Sequence, residues 1–282
     1  DLIVEGSVEN LAAAISFQLG AERVIISREE SPYKTMQLKI DKVTLDLASA
    51  RTEIYNCPGD NPEVFNSTIE EDLTRRDFTI NAIGLELINN SFIDIFKGLN
   101  AIRKRELNFI KSNSVAEDPS RIIRGARYAS RLNFNLDLNS LEQVQSTIIS
   151  WPWHWNPNQG HQNCPPALGT RMRMEFDLLF EKEPWVQALK NLQNWGALLL
   201  LDKALQNDVN YKRRVELACK LNIKPLTALI AVSDDPCSLA ARLQLADYQK
   251  NIMEKRKKYF RQNIKQNKAQ HKDSLNYKKN LN

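Results

Sequence analysis

The stretch AEDPSRIIRGARYASR, residues 116–131, marks where the chain's pattern turns from strand-like to helical. Arginines stand at 121, 124 and 127, three apart, and again at 131, behind the acidic pair Glu117 and Asp118. On a helical wheel zeroed at Arg121, Glu117 falls at about −40°, Asp118 at about +60°, Arg124 at about −60° and Arg127 at about −120°. Ile122, Ile123, Ala126 and Ala129 gather on a separate arc. The spacing therefore predicts one helix over roughly 117–133, with an apolar face packed down and a charged face beside it. Pro119 suits a first helical turn, with Asp118 just before it. Taken alone, the charged face has a plain alternative: a solvated surface with a capping acid.

Upstream, the pattern is that of a sheet. DLIVEG (1–6) reads as a strand ending in a turn, and 7–19 as a helix with Val8, Leu11, Ala12, Ile15 and Leu19 on one face. RVIIS, TMQLKI and VTLDLASAR read as strands, with a tight turn at Asp41-Lys42. Residues 56–68 read as a loop and 69–83 as a helix. LELINNSFIDIF reads as a hairpin around Asn89-Asn90. Downstream, helical periodicity recurs near 138–149, 167–182, 184–194, 196–206 and 209–221, and strand signals fade. Strands first and helices after imply an α+β head followed by an all-helical part.

Two upstream stretches bear on chemistry. In LTRRDFTINA (73–82), Arg75 and Arg76 precede Asp77, a run that reads by itself as a surface ion pair, and Asn81 lies among apolar residues where its amide needs a partner. In VTLDLASARTEIY (43–55), Asp46 lies within an apolar strand, where a lone carboxylate is costly unless it is paired or holds a cation.

DLIVEG, LDLASARTEIY, EEDLTRRDFTINAIG, IDIFKGLNAI, EDPSRIIRGARYASRLNF and PPALGTRMRMEFDLL occur in this order. With them the chain resembles the class II tRNA nucleotidyltransferases, the CCA-adding enzymes and their poly(A) polymerase relatives, from residue 1 to about 205. RRDFTINA together with EDxxR is a highly specific pair.

The resemblance implies a polymerase-β-like nucleotidyltransferase head followed by an all-helical neck and body. The expected divisions are a head over 1–112, incomplete at its start, a neck over 113–183 with the base-selecting helix, a body over 184–248 and a basic tail over 249–282. It implies template-independent addition of C, A or both to the 3′ end of tRNA from CTP and ATP, with release of pyrophosphate. The alternatives within the fold are CC-only addition, A-only addition and poly(A) addition. A non-catalytic RNA-binding relative is the alternative of another class.

The family's metal motif is Asp-x-Asp, and Asp1 matches its second aspartate. The first would lie two residues upstream, as would the Gly-rich triphosphate loop further on, so a head continuing upstream is expected. Asp1, with Asp46 as a supporting carboxylate, is the catalytic candidate, and two Mg²⁺ ions are the expected cofactor. Arg75, Arg76, Asp77 and Asn81 would form the sugar and triphosphate site; arginine suits phosphates because its fork binds oxygens bidentately. Glu117 would orient Arg121, and Asp118 with Arg121 would face the base. Arg124 and Arg127 would point towards phosphates.

The donor inventory gives this selection a physical basis. Ionised Asp only accepts hydrogen bonds and Arg only donates them. Cytosine and adenine present an amino donor beside a ring-nitrogen acceptor. Uracil and guanine present a carbonyl where the amino group should be. One Asp–Arg pair can thus accept C and A and reject U and G. In GTRMRMEFDL (169–178), the resemblance makes Arg171, Arg173 and Glu175 a brace rather than chemistry.

Composition sets limits. The 282 residues are 42% hydrophobic and 26% charged, ordinary for a globular protein. No apolar run approaches the roughly 18–20 residues needed to cross a bilayer. We expect no signal peptide, and a cytoplasmic or equivalent location. Cys57, Cys164, Cys219 and Cys237 show no CxxC spacing, and His154, His161 and His271 no metal cluster. The net charge is +5, but residues 249–282 carry +9, which leaves −4 for the rest. Any nucleic-acid contact must rest on local clusters.

Overall fold

The computed structural model describes residues 1–30, 33–150, 164–247 and 249–255. The expected Trp-rich loop around His154 and His161, His271 and nearly all of the basic tail lie outside the described residues. The chain divides into two compact units, Asp1–Thr147 and Ile148–Asn282.

The first unit is built on a four-stranded sheet of β1 (Leu2–Val4), β2 (Val24–Glu30), β3 (Thr35–Ile40) and β4 (Val43–Ser49), in the order β1-β4-β3-β2. β1 runs parallel to β4, whereas β3 is antiparallel to both β4 and β2. Alternation fixes the register: Leu2, Met36, Leu38, Leu45 and Leu47 face one side, where Val8, Leu11, Ala12 and Ile15 of α1 (Val8–Leu19) cover them. Ser7 caps α1 by accepting from the Asn10 amide at 3.1 Å. The opposite face carries Gln37, Asp46 and Ala48.

The expected strand over 43–51 is interrupted. The Ala50 amide donates to the Val4 carbonyl at 2.7 Å and its own carbonyl accepts from Ser67. The chain thereby leaves the sheet and forms β5 (Arg51–Ile54), which pairs antiparallel with β6 (Glu63–Asn66). Residues 63–66 were expected as loop; four residues are too few to show a period. The Asp41-Lys42 turn forms, with Asp41 at φ 52°.

The expected helix over 69–83 stops early. α2 spans Ile69–Thr74, capped by Thr68, and the chain then turns because Phe78 bridges to Phe109 and stacks on it with ring centroids 4.7 Å apart. Residues 79–81 form a single 3-10 turn. The hairpin forms as β7 (Gly84–Glu86) and β8 (Ser91–Ile93). Asp94 then caps α3 (Gly98–Lys104), accepting from the Gly98 amide at 2.6 Å and the Leu99 amide at 3.0 Å. Gly98 is required for space: a Cβ there would lie 2.3 Å from the Thr79 carbonyl oxygen.

The helix expected over 117–133 is two. α4 (Ser114–Glu117) ends at Asp118, which is extended at φ −146° and ψ 95°, and α5 runs Ser120–Leu132. The residue before a proline is driven from helical to extended backbone, so Pro119 starts a helix and ends another. A continuous wheel therefore does not hold for Glu117 and Asp118. α5 buries Ile122, Ile123, Ala126 and Ala129, as its pattern required, and ends at Asn133 in the left-handed region, φ 55°. β9 (Glu106–Leu107) pairs in parallel with β10 (Asn135–Leu136), and α6 spans Leu138–Ile149.

In the second unit, α7 (Thr170–Lys182), α8 (Trp185–Asn194) and α10 (Tyr211–Lys220) follow the periodicity. The segment expected as one helix over 196–206 is a 3-10 turn, Ala197–Leu200, then α9 (Lys203–Gln206), started by Asp202, which accepts from Ala204 at 2.7 Å. α11 (Pro225–Ile230) and α12 (Pro236–Arg242) were not expected; both are short and begin at proline. Met172, Phe176, Leu189, Leu192, Leu229 and Ile230 are fully buried here. Among the described residues, no helix is long and apolar enough to cross a membrane.

Candidate active site

A buried carboxylate organises the arginines of the RRD segment. Asp72 is 1% exposed, and its position on α2 puts Arg75 and Arg76 three and four residues on, within reach of one face. Arg75 donates from Nε at 3.0 Å and Nη2 at 2.7 Å to Asp72 Oδ1. Arg76 donates from Nε at 3.3 Å and Nη2 at 3.0 Å to Oδ2. Neither pairs with Asp77 as the local run had suggested.

Arg75 also donates from Nη1 to Glu53 Oε1 at 2.9 Å, and Arg51 reaches the same oxygen at 3.2 Å. Burial, then the charge of Arg75, pushes the Arg51 pKa below its ordinary value. Three cations thus face two carboxylates, Asp72 and Glu53, in a half-buried cluster. The excess positive charge is what an anionic ligand would meet. The ends of several elements converge here: the Glu5 carboxylate after β1 accepts from the Ile69 amide that opens α2, at 2.8 Å.

Asp77 performs another task. Its Oδ1 accepts from the Phe78 amide at 2.8 Å and from Asn81 Nδ2 at 2.9 Å, and its Oδ2 accepts from Arg124 Nη1 at 3.1 Å. The side-chain amide of Asn81 thereby has its partner, and the backbone carbonyl of Asn81 accepts from Arg76 Nη1 at 3.2 Å. The Asp77–Arg124 pair joins segments 47 residues apart in sequence.

At the start of α5, Asp118 and Arg121 are each 5% exposed. Asp118 Oδ1 accepts from the Ser120 amide at 3.0 Å and hydroxyl at 2.6 Å, fixing the carboxylate at the helix start. Arg121 donates from Nη1 to the hydroxyl and carbonyl of Ser114 at 2.8 and 3.2 Å, and from Nη2 to the Tyr55 hydroxyl at 3.5 Å. Glu117 Oε2 lies 3.5 Å from Arg121 Nη1. The Gly59 amide donates to the Glu117 carbonyl at 2.8 Å, docking the loop after β5 here. Arg127 is also buried, its guanidinium 5.9 Å from the centre of the Tyr128 ring.

Asp46 is exposed rather than embedded: it lies on the sheet face away from α1 and accepts from Gln37 Nε2 at 2.7 Å. Asp1 adjoins Leu2 and Asp46 adjoins Leu47, its parallel partner, so the register sets the two aspartates at neighbouring positions of the sheet. Among the described residues, no three His, Cys, Asp or Glu side chains form a metal-binding group. Mg²⁺ is commonly held by one or two carboxylates together with substrate phosphates. Aspartate carboxylates are hard oxygen donors, and that chemistry suits such an ion.

In the second unit, Arg173 donates from Nη1 to the Gln244 carbonyl and lies 4.0 Å from Asp177, and Glu175 is buried. Arg242, 7% exposed, donates to the Leu200 carbonyl at 2.8 Å. Burial lowers its pKa to about 10 and raises that of nearby Cys164 to about 11.

The sequence reading missed Asp72, Glu53, Arg51, Tyr55 and Ser114. Only Asp72 had a usable signal, its three- and four-residue spacing to the arginines. The rest reach the site through tertiary packing.

A small mixed sheet covered by one helix, followed by helices that carry a buried Asp–Arg pair, defines a nucleotidyltransferase-type head with a helical continuation. Residues 1–108 match the Poly A polymerase head domain family. The CC-adding tRNA nucleotidyltransferase of Deinococcus radiodurans is 29% identical over 255 residues, 88% of this chain and 62% of that protein. The A-adding tRNA nucleotidyltransferase of Aquifex aeolicus is 35% identical over 152 residues, 52% of this chain and 18% of that protein. A solved CCA-adding enzyme without ligand superposes with a TM-score of 0.68 at 20% identity, covering 89% of this chain and 60% of that one. Residues 1–108 thus match the head domain family, and most of the chain is similar to tRNA nucleotidyltransferases. It spans less than two thirds of the length of these curated relatives.

Proposed function

We propose that this chain carries the nucleotide-selecting part of a template-independent tRNA nucleotidyltransferase, which adds C, A or both to the 3′ end of tRNA from CTP and ATP and releases pyrophosphate. The observation that carries the reading is the Asp77–Arg124 pair at 3.1 Å. It brings the RRD segment and the EDxxR helix, distant in sequence, into one site.

In this reading the Arg75 and Arg76 cluster receives the triphosphate, with Asp77 and Asn81 shaping the sugar site. Arg124 and Arg127 lend further positive charge. Asp118 accepts from the amino group of cytosine or adenine, and Arg121 donates to the adjacent ring nitrogen. Glu117 holds Arg121 in place. A wrong base leaves a buried polar group unpaired, at about 1–3 kcal/mol, more where charge is involved. Asp1 and Asp46 would hold Mg²⁺; when bound, the ion would stabilise charge on the phosphoryl oxygens. The head over 1–112, neck over 113–183, body over 184–248 and tail over 249–282 remain our proposed divisions. Four free cysteines suit a reducing compartment such as the cytoplasm.

The test offers the protein tRNAs ending before C, before CC and before the final A, with each nucleotide supplied singly. Incorporation of C or A but not U or G is expected, and the pattern of acceptors separates CCA, CC-only, A-only and poly(A) addition. Absence of any incorporation would leave the non-catalytic RNA-binding reading standing. Asp1→Ala is expected to abolish turnover while leaving nucleotide binding largely intact; an active variant removes Asp1 from the site.

A further inference from the structure

We propose that Tyr55 is a positioning residue for Arg121 on the base-selecting helix, itself anchored by Glu53. This rests on the nucleotide-selecting reading given above and adds a residue which that reading does not contain.

Three observations carry it. Arg121 is 5% exposed, and its Nη1 and Nη2 edges are held by different elements: Ser114 on α4 for one and the Tyr55 hydroxyl, just past β5, for the other. The Tyr55 hydroxyl has a consistent direction. It accepts from Arg121 at 3.5 Å and donates to Glu53 Oε2 at 3.2 Å. Glu53 Oε1 in turn accepts from Arg75, whose other edge is clamped by Asp72. A continuous line of hydrogen bonds therefore links Arg121, Tyr55, Glu53, Arg75 and Asp72, with donors converging on Glu53 from both sides.

The physical role follows from the geometry of guanidinium. Ser114 and Glu117 both approach Nη1, so alone they leave the plane free to pivot about that edge. A contact at Nη2 removes the pivot. The donors that meet the base then keep one direction, and a base with a carbonyl in the wrong place finds no relaxed arrangement. The bonds from Arg121 to Tyr55 and from Tyr55 to Glu53 share one direction and polarise one another.

The test measures equilibrium binding of CTP, ATP, UTP and GTP to the full chain and to Tyr55→Phe, which keeps the ring and removes the hydroxyl. Inorganic tripolyphosphate, which has no base, is the probe for the arginine cluster. The preference for C and A over U and G should narrow about tenfold, the size of one hydrogen bond to a charged group. Tripolyphosphate affinity and the thermal midpoint should stay unchanged. Glu53→Gln, which weakens the acceptor beyond Tyr55, should narrow the preference in the same direction. An unchanged preference in Tyr55→Phe overturns the proposal. A parallel loss for all four nucleotides and tripolyphosphate also overturns it, because a merely structural tyrosine would behave so. If the unaltered chain shows no preference, the nucleotide-selecting reading fails first and takes this one with it.

Discussion

At Asp118 two demands meet on one side chain. Its carboxylate fixes the start of α5 through Ser120, and in our reading it also accepts from the incoming base. Asp118→Asn separates them. The amide carbonyl can still accept from Ser120, so the thermal midpoint should hold within the small change expected of a preserved cap. The edge offered to a base, however, gains a donor. Selection for C and A over U and G in single-nucleotide incorporation should relax by about tenfold. Unaltered selection would remove Asp118 from base reading. Cys164 supplies a second residue-scale expectation. Burial raises its pKa to about 11, against an ordinary value of 9.0. At pH 8 its thiolate fraction is therefore small, and it should react with a thiol reagent far more slowly than exposed Cys57 and Cys219. Its rate should climb as pH approaches 11. Mass mapping of labelled cysteines over a pH series reads this directly.

At the scale of elements, the α3 start shows how a remote glycine supports the site. Gly98 lets α3 approach the 79–81 turn so closely that a Cβ would strike the Thr79 carbonyl. That turn holds Asn81 against Asp77. Gly98→Ala should cost about 1–3 kcal/mol in denaturant unfolding, as overpacking does, and should weaken nucleotide binding through displaced Asn81. A fully stable variant would show that α3 moves without strain. Element identity was legible where amphipathic patterns were long. α5 buried the residues that its periodicity marked, and α1 buried Val8 and Ala12 with Leu11 and Ile15 half-buried, but Leu19 is 40% exposed. It was illegible where elements were short: β6 has four residues and α11 has six, too few to display a period. The break at Asp118-Pro119 was present in the sequence as a residue before proline, but the wheel assumed continuity across it.

At the scale of the molecule, the site exists because segments far apart in sequence are tied together within the first unit. Asp77 is 9% exposed at its side chain and Arg124 34%. A double-mutant cycle with Asp77→Asn and Arg124→Met should give a coupling of about 1 kcal/mol in stability, reduced at high salt because Arg124 is partly solvated. A coupling of zero would mean that the Asp77–Arg124 pair does not help to hold the helix.

The sequence by itself determined the α+β order, the amphipathic faces and the two motifs, because these depend on residues near one another along the chain. It named the arginines of the RRD segment but not their partner Asp72, and named Arg121 but not Tyr55. Asp72 lies about one helical turn from its arginines, whereas the pairing of Arg121 with Tyr55 was decided by tertiary structure alone. A guanidinium binds whichever oxygens packing brings to its edges, and the packing that brings Glu53 and Tyr55 there is set by the core beneath them, not by their distance in sequence.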